Sequence, residues 1–159
     1  MKILYFIIVL LIFVFSTLFS QSIVINEFMS SNKDNVKDED GNFSDWIEIY
    51  NDSEDMINLS NYTLSDDIKN LSRWHFPDTT IKSKEFLLIF ASGKNKRVPG
   101  RELHTNFSIK NEGEDLFLVN LGNIVHKVNA TELKENESYG LYPDASNNFY
   151  KFHIPSPGK

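Results

Sequence analysis

Ser44-Asp45-Trp46-Ile47-Glu48-Ile49-Tyr50-Asn51 alternates residue by residue. Ile47 and Ile49 share one side; Trp46, Glu48 and Tyr50 share the other. A period of two, carried by Trp, Ile and Tyr, is the signature of a β-strand. Turn chemistry brackets it, with Asp38-Glu39-Asp40-Gly41-Asn42 before and Asn51-Asp52-Ser53 after. The reading is a central strand. Ile47 and Ile49 enter a sheet-on-sheet core, and Trp46 and Tyr50 lie on the far face.

Working outward, the same pattern recurs in short pieces. Ile23–Phe28 reads as a first strand and Met29–Asn42 as a polar loop. Ile57–Leu59, Tyr62–Leu64, Arg73–Phe76 (ended by Pro77) and Thr79–Ile81 are further short extended segments. Phe86–Ala91 is the most continuously apolar stretch and reads as a strand buried on both faces. Phe107 and Ile109 alternate in another short strand. Leu116–Val119 and Ile124–Val128 flank Asn120-Leu121-Gly122-Asn123 as a β-hairpin. Ser138–Pro143 is extended, Phe149–Phe152 is the last strand, and Ile154–Lys159 is an extended exit. No segment after residue 22 holds a helical period over 11 residues, and no repeat recurs at fixed spacing. Many short strands between turn residues mean an all-β sandwich or small barrel.

The ends and the composition bound the function. Lys2 precedes an unbroken apolar run, Ile3–Phe15, and no acidic residue appears before Glu27. A basic start, a 7–15-residue apolar core and small residues after it describe a secretory signal peptide, here residues 1–22, cut after Ser22 or after Ser20. A retained anchor would want roughly 20 apolar residues. Either way the domain, residues 23–158, is expected outside the cytoplasm. Removing Lys2 takes the formal net charge from −6 to −7. That opposes nonspecific nucleic-acid binding, which needs a basic face to release counterions, and docking on an anionic membrane. Lys94, Lys96, Arg97 and Arg101 form a local basic loop, read as solvated. There is no cysteine, so the domain stands on its hydrophobic core, with no thiolate metal site and no cysteine nucleophile. The Asn-x-Ser/Thr triplets at Asn51, Asn61 and Asn106 are read as products of an Asn-rich composition.

Taken in order, Ile25–Phe28, Asp45–Asn51, Asn58–Asp67, Trp74–Pro77, Ala91–Lys94, Leu103–Phe107 and Ser156–Gly158 resemble bacterial lamin-tail domains. Each piece is weak alone; the ordered set is specific. The resemblance spans about Ile23 to Gly158 and implies an immunoglobulin-like β-sandwich. It also implies a non-enzymatic accessory module of secreted or surface proteins, which in bacteria stands beside nucleases, phosphatases or spore-coat-kinase-like (CotH-type) domains. The chain most resembles modules at the N-terminus of CotH-type surface proteins. A fold shared with nuclear lamins is no argument for a nuclear role.

No catalytic, cofactor-binding or metal-ligating residue is assigned, and no cofactor is expected. Five groups nonetheless carry chemistry worth placing. Asp38, Asp40 and Asp45, with Glu48 further on, supply oxygens near a glycine turn as calcium loops do, but off the EF-hand spacing. The plain reading is a turn whose Asp side chains cap backbone N–H groups; Asp66-Asp67 reads likewise. Glu27 and Glu48 can face each other across strands like a glycosidase pair, though glutamates on a sandwich are usually solvated. His75, His104, His126 and His153 lack zinc spacing; His126 is expected on an outer face, and His104-Thr105-Asn106 to hold a loop. Ser92-Gly93-Lys94 lacks the first glycine and final hydroxyl of a phosphate loop. Lastly, Trp46, Tyr50, Tyr62 and Trp74 could share a face that stacks on a sugar or anchors a protein, although the plain reading is that a loop or the other sheet covers them. Exposed strand edges offer β-augmentation instead. The expected partner is a protein or glycan at the cell surface.

Overall fold

A computed structural model describes residues 23–159; the signal peptide expected at residues 1–22 lies outside the described residues. Twelve strands and no helix are described: β1 (Ile23–Met29), β2 (Trp46–Asn51), β3 (Ile57–Asn58), β4 (Tyr62–Ser65), β5 (Trp74–His75), β6 (Thr80–Ile81), β7 (Phe86–Phe90), β8 (Leu103–His104), β9 (Leu116–Asn120), β10 (Asn123–Val128), β11 (Ser138–Leu141) and β12 (Phe149–Phe152). Six form one sheet in the order β12-β11-β1-β2-β7-β8, and four form a second in the order β10-β9-β4-β5. β3 and β6 make a small separate pair. Every pairing is antiparallel except β7 with β8. This is an immunoglobulin-like β-sandwich.

β2 is central, as its alternation predicts. Ile47 and Ile49 are fully buried in a main core with Ile23, Ile25 and Phe28 of β1 and Leu64, Trp74, Leu116 and Leu118 of the opposite sheet. The phase of β1 explains its pairing. Ile25 lies opposite Ile49 and Glu27 opposite Glu48, so Asn26 is the extra residue of a β-bulge. The bulge moves the core register by one, which lets Ile25 and Phe28, three apart, both face inward.

The outer face of the large sheet is covered at its aromatic residues, as their plain reading has it, and Glu48 there is not solvated as expected. Trp46, Met29 and Phe90 form a second buried cluster with Val36 and Leu88 against it, because the loop after β1 folds back over this face. Tyr50 stacks on Phe86, ring centroids 4.5 Å apart. β7 is less enclosed than its apolar run predicts. Ile89 and Phe90 are buried, whereas Phe86, Leu87 and Leu88 are half-buried. The expected strand at Phe107–Ile109 reduces to a single bridge, Ser92 to Ser108, although both apolar side chains are buried. The end of the chain does not run out extended. It turns at Pro157-Gly158, with Lys159 N–H bonded to Ser156 C=O at 3.1 Å.

Candidate functional site

The acidic loop folds around Asp38. Its Oδ1 accepts the N–H groups of Asp40 and Asn42, each at 3.0 Å, and its Oδ2 accepts the Ser44 hydroxyl at 2.7 Å. Gly41 takes φ of 81°, a left-handed position where a Cβ is strained, and closes the turn onto Asp38 C=O. The expected capping is therefore present. Lysines complete it. Lys94 Nζ reaches Asp38 at 2.6 Å and Asp40 at 2.7 Å, and Lys96 Nζ reaches Asp40 and Glu39, each at 2.8 Å. Burial opposes charge on Asp38, yet Lys94, Ser44 and the Asn42 N–H hold its carboxyl far below the usual range. Lysine ammonium groups occupy the place of a cation, Asp45 and Glu48 point elsewhere, and among the described residues no three acidic or histidine side chains are placed to hold a metal ion. The basic loop is solvated at Arg97 and Arg101 as read, while Lys94 and Lys96 are half-buried in these ion pairs.

The second site lies mid-sheet. Glu27 and Glu48 do pair across β1 and β2, and neither is solvated: they are 1% and 0% exposed. Donors surround them. Glu27 accepts the Ser138 hydroxyl of β11, the Ser156 N–H at 3.2 Å and the Ser156 hydroxyl at 2.7 Å. Glu48 accepts the Gly158 N–H and the Asn26 amide, the latter at 3.3 Å. The bulge aims Asn26 here, and its amide also bonds Asp144 at 2.9 Å while its carbonyl accepts Ala145 N–H at 3.2 Å. Gly140 faces Glu27 across the ladder, and a Cβ there would meet Asn26 O at 2.8 Å and Glu27 Cγ at 2.9 Å. Glycine is the residue that leaves room for the Glu27 side chain. Burial, with only partial relief from Gly158 and Asn26, pushes the Glu48 carboxyl up to about 7. Residues 156–158 thus form a strap that seals two carboxylates. A cavity of about 290 Å³ borders Glu27 and Ser156, but both Glu27 oxygens already accept protein donors.

The aromatics do not form a shared exposed face. Trp46 is buried in the outer cluster, while Trp74 and Tyr62 belong to the main core. Only Tyr50 of the four is partly exposed. His126 also departs from expectation. It is buried, its Nδ1 accepts the Ile25 N–H at 3.1 Å, and burial lowers it to about 4, so it is the neutral Nε2–H form that stitches β10 to β1. His104 behaves as the loop-holder expected: Nδ1 bonds the Ser92 hydroxyl at 2.8 Å, and the ring stacks on Phe90. Asn106 bonds Arg73 C=O at 2.8 Å. His153 pairs with Glu137 at 3.0 Å. Asn51, read only as a strand end, has three amide bonds to Asp55, Ile81 and Lys82 carbonyls and is fully buried. That geometry leaves no room for a glycan on its nitrogen in the folded state.

Sequence reasoning placed Glu27 opposite Glu48 but missed Asn26, Ser138, Ser156 and Gly158. One signal was readable. Ile23 and Ile25 alternate and Phe28 breaks the phase, which marks a bulge at Asn26-Glu27.

The fold and its sealed polar sites define a β-sandwich of the immunoglobulin-like class. The family model of the Lamin Tail Domain matches residues 19–132. The chain belongs to the lamin tail domain family, whose fold is a non-catalytic domain type. The matched stretch stops before β11, β12 and the strap, yet β11 pairs directly with β1, so these belong to the same sandwich. No curated protein sequence matches the chain.

Proposed function

We propose that this chain is a non-enzymatic module that works outside the cytoplasm, as a rigid spacer or as a contact surface for a protein or glycan at the cell surface. The observation that carries it is the commitment of its carboxylates. Asp38, Asp40, Glu27 and Glu48 are each answered by protein donors rather than presented to a reacting group. A scaffold needs such closure; a hydrolase needs at least one acid or base open to substrate. The apolar Ile3–Phe15 run and the net negative charge support export and argue against nucleic-acid or direct membrane binding.

A second reading has a specific support. The strap fixes Ser156 and Gly158 to β1 and β2, so the backbone near Lys159 is held at a set place on the sheet. That suits an N-terminal accessory domain which positions a larger surface enzyme of the CotH kinase-like, nuclease or phosphatase kind.

The test is protease shaving of intact expressing cells, joined to saturation binding of the labelled chain to cells that lack it. Export predicts removal by external protease and a mature N-terminus at Ser22-Ile23 or Ser20-Gln21. Contact function predicts saturable binding competed by unlabelled chain. Retention in the cytoplasm would overturn the reading.

A further inference from the structure

After β12 the chain runs Ile154-Pro155-Ser156-Pro157-Gly158-Lys159, and the strap lies within this segment. Its sequence leaves few donors, because neither proline carries an N–H. The N–H groups of Ser156 and Gly158 go to Glu27 and Glu48, and the Ser156 hydroxyl joins them on Glu27. Among the described residues, these three are the hydrogen bonds that tie residues 154–159 to the sheet; the Lys159 N–H turns back to Ser156 C=O. Neither apolar cluster includes a residue of the segment, and Ile154 at its root is 87% exposed. The strap therefore rests on two carboxyl groups. A segment held by a few hydrogen bonds and little apolar contact opens at a far lower cost than the domain that carries it.

The groups beneath the strap make that support sensitive to charge. Glu48 is acted on by Glu27 of β1 and by Asp144 of the turn between β11 and β12, and both oppose its ionisation. Leu88, opposite it on β7, is apolar, and Asn26 beside it is neutral. Lys159, on the segment itself, lines the cavity of about 290 Å³ that also borders Glu27, Asp144 and Ser156. Space for water thus adjoins the strap. With the strap shut, burial raises Glu48 from 4.5 to about 7, against the pull of the Gly158 and Asn26 donors. With the strap lifted, water reaches the carboxyl and its ordinary value returns. The shut form therefore holds the Glu48 proton more tightly. Its advantage is complete below pH 4.5 and is lost as pH rises through 7.

We propose that residues 154–159 are a pH-dependent latch, closed on Glu27 and Glu48 at acid pH and released from the sheet at alkaline pH while the sandwich stays folded. This goes beyond the contact-module reading and stands without it. Opening changes what the module presents: two carboxylates are uncovered, and the chain at Lys159 leaves its set place on the sheet. The test is amide hydrogen exchange by NMR on the full chain between pH 5.5 and pH 8, in the parent and in Glu48→Gln. Each rate is divided by that of an unstructured amide at the same pH. Glutamine keeps the shape of the protonated side chain and does not ionise, so the variant should fold with its strap shut. In the parent, relative exchange at Ser156 and Gly158 should rise by up to about 25-fold across this range, as a shift from 4.5 to about 7 implies. It should stay flat in Glu48→Gln, and the fully buried Leu118 of β9 should stay protected in both. A flat profile in the parent overturns the latch. A rise that survives in Glu48→Gln overturns it too, because another group then drives the opening. A rise shared by Leu118 also overturns it, since the whole sandwich then opens rather than the strap.

Discussion

The acidic turn at Asp38–Asp40 and the carboxylate pair Glu27–Glu48 use the same chemistry and are resolved in opposite ways. The turn is answered by two lysine side chains at the rim of the fold, with Lys94 26% and Lys96 32% exposed. The pair is answered almost wholly by neutral donors, backbone N–H and serine hydroxyls, inside a sealed face. Charge met by mobile charge near water is worth little and is screened by salt. Charge buried against fixed dipoles is costly to create and costly to disturb. The first region should therefore tolerate change and the second should not.

The largest effect expected is from Glu27→Ala. It strands the buried Ser138 hydroxyl and both donors of Ser156, and should cost about 3 kcal/mol in chemical denaturation. A loss below about 1 kcal/mol would show that the strap contributes nothing to the sandwich. Gly140→Ala comes next. The added methyl meets Asn26 O, Glu27 Cγ and the Phe152 ring within 3 Å, so about 2 kcal/mol is expected, with local shifts at the strap.

The pair also sharpens the comparison through pH. Glu48 is raised from 4.5 to about 7 in the fold, so the folded state holds the extra proton. Its contribution is present below pH 4.5 and is lost as pH rises toward 7. Glu48→Gln removes that slope. The variant should gain on the parent across this window by up to about 3 kcal/mol, read as the difference between two stability-against-pH curves. His126 acts with the opposite sign. It is lowered from 6.5 to about 4, so stability is lost as pH falls between those values, in parent and variant alike. Parallel curves for parent and Glu48→Gln would contradict the sealed-site account.

The smallest effects belong to the turn. Lys94→Met should cost about 1 kcal/mol, since Asp38 keeps its Ser44 and backbone donors. Lys96→Met should shift the melting temperature less, and 1 M salt should erase its difference from the parent. A Lys96 effect as large as that of Glu27→Ala would collapse the distinction between the two regions.

Much of the architecture was readable from local pattern. The alternation of Trp46–Asn51, the hairpin at Leu116–Val128 and the strands at Ser138–Leu141 and Phe149–Phe152 all lie where their apolar spacing put them. Capping by Asp38 was readable too, because its donors are two to six residues away. The site was less so. Glu27 and Glu48 read as solvated because glutamate usually is; what buries them is a segment more than 100 residues later. For Trp46 the sequence left open whether the loop after β1 or the other sheet lay over it, because alternation reports which face a side chain takes, not what covers that face.

The sequence by itself determined the strands, the turns and the choice of a sandwich, since period, β-branching and turn residues act over a few positions. Only the tertiary structure decided which polar groups meet. Lys94 finding Asp38, His126 finding Ile25 N–H and Ser156 finding Glu27 are contacts across 56, 101 and 129 residues. Such pairs depend on register and on the bulge at Asn26, and charge and hydrogen bonding act through space without leaving a mark on neighbouring sequence.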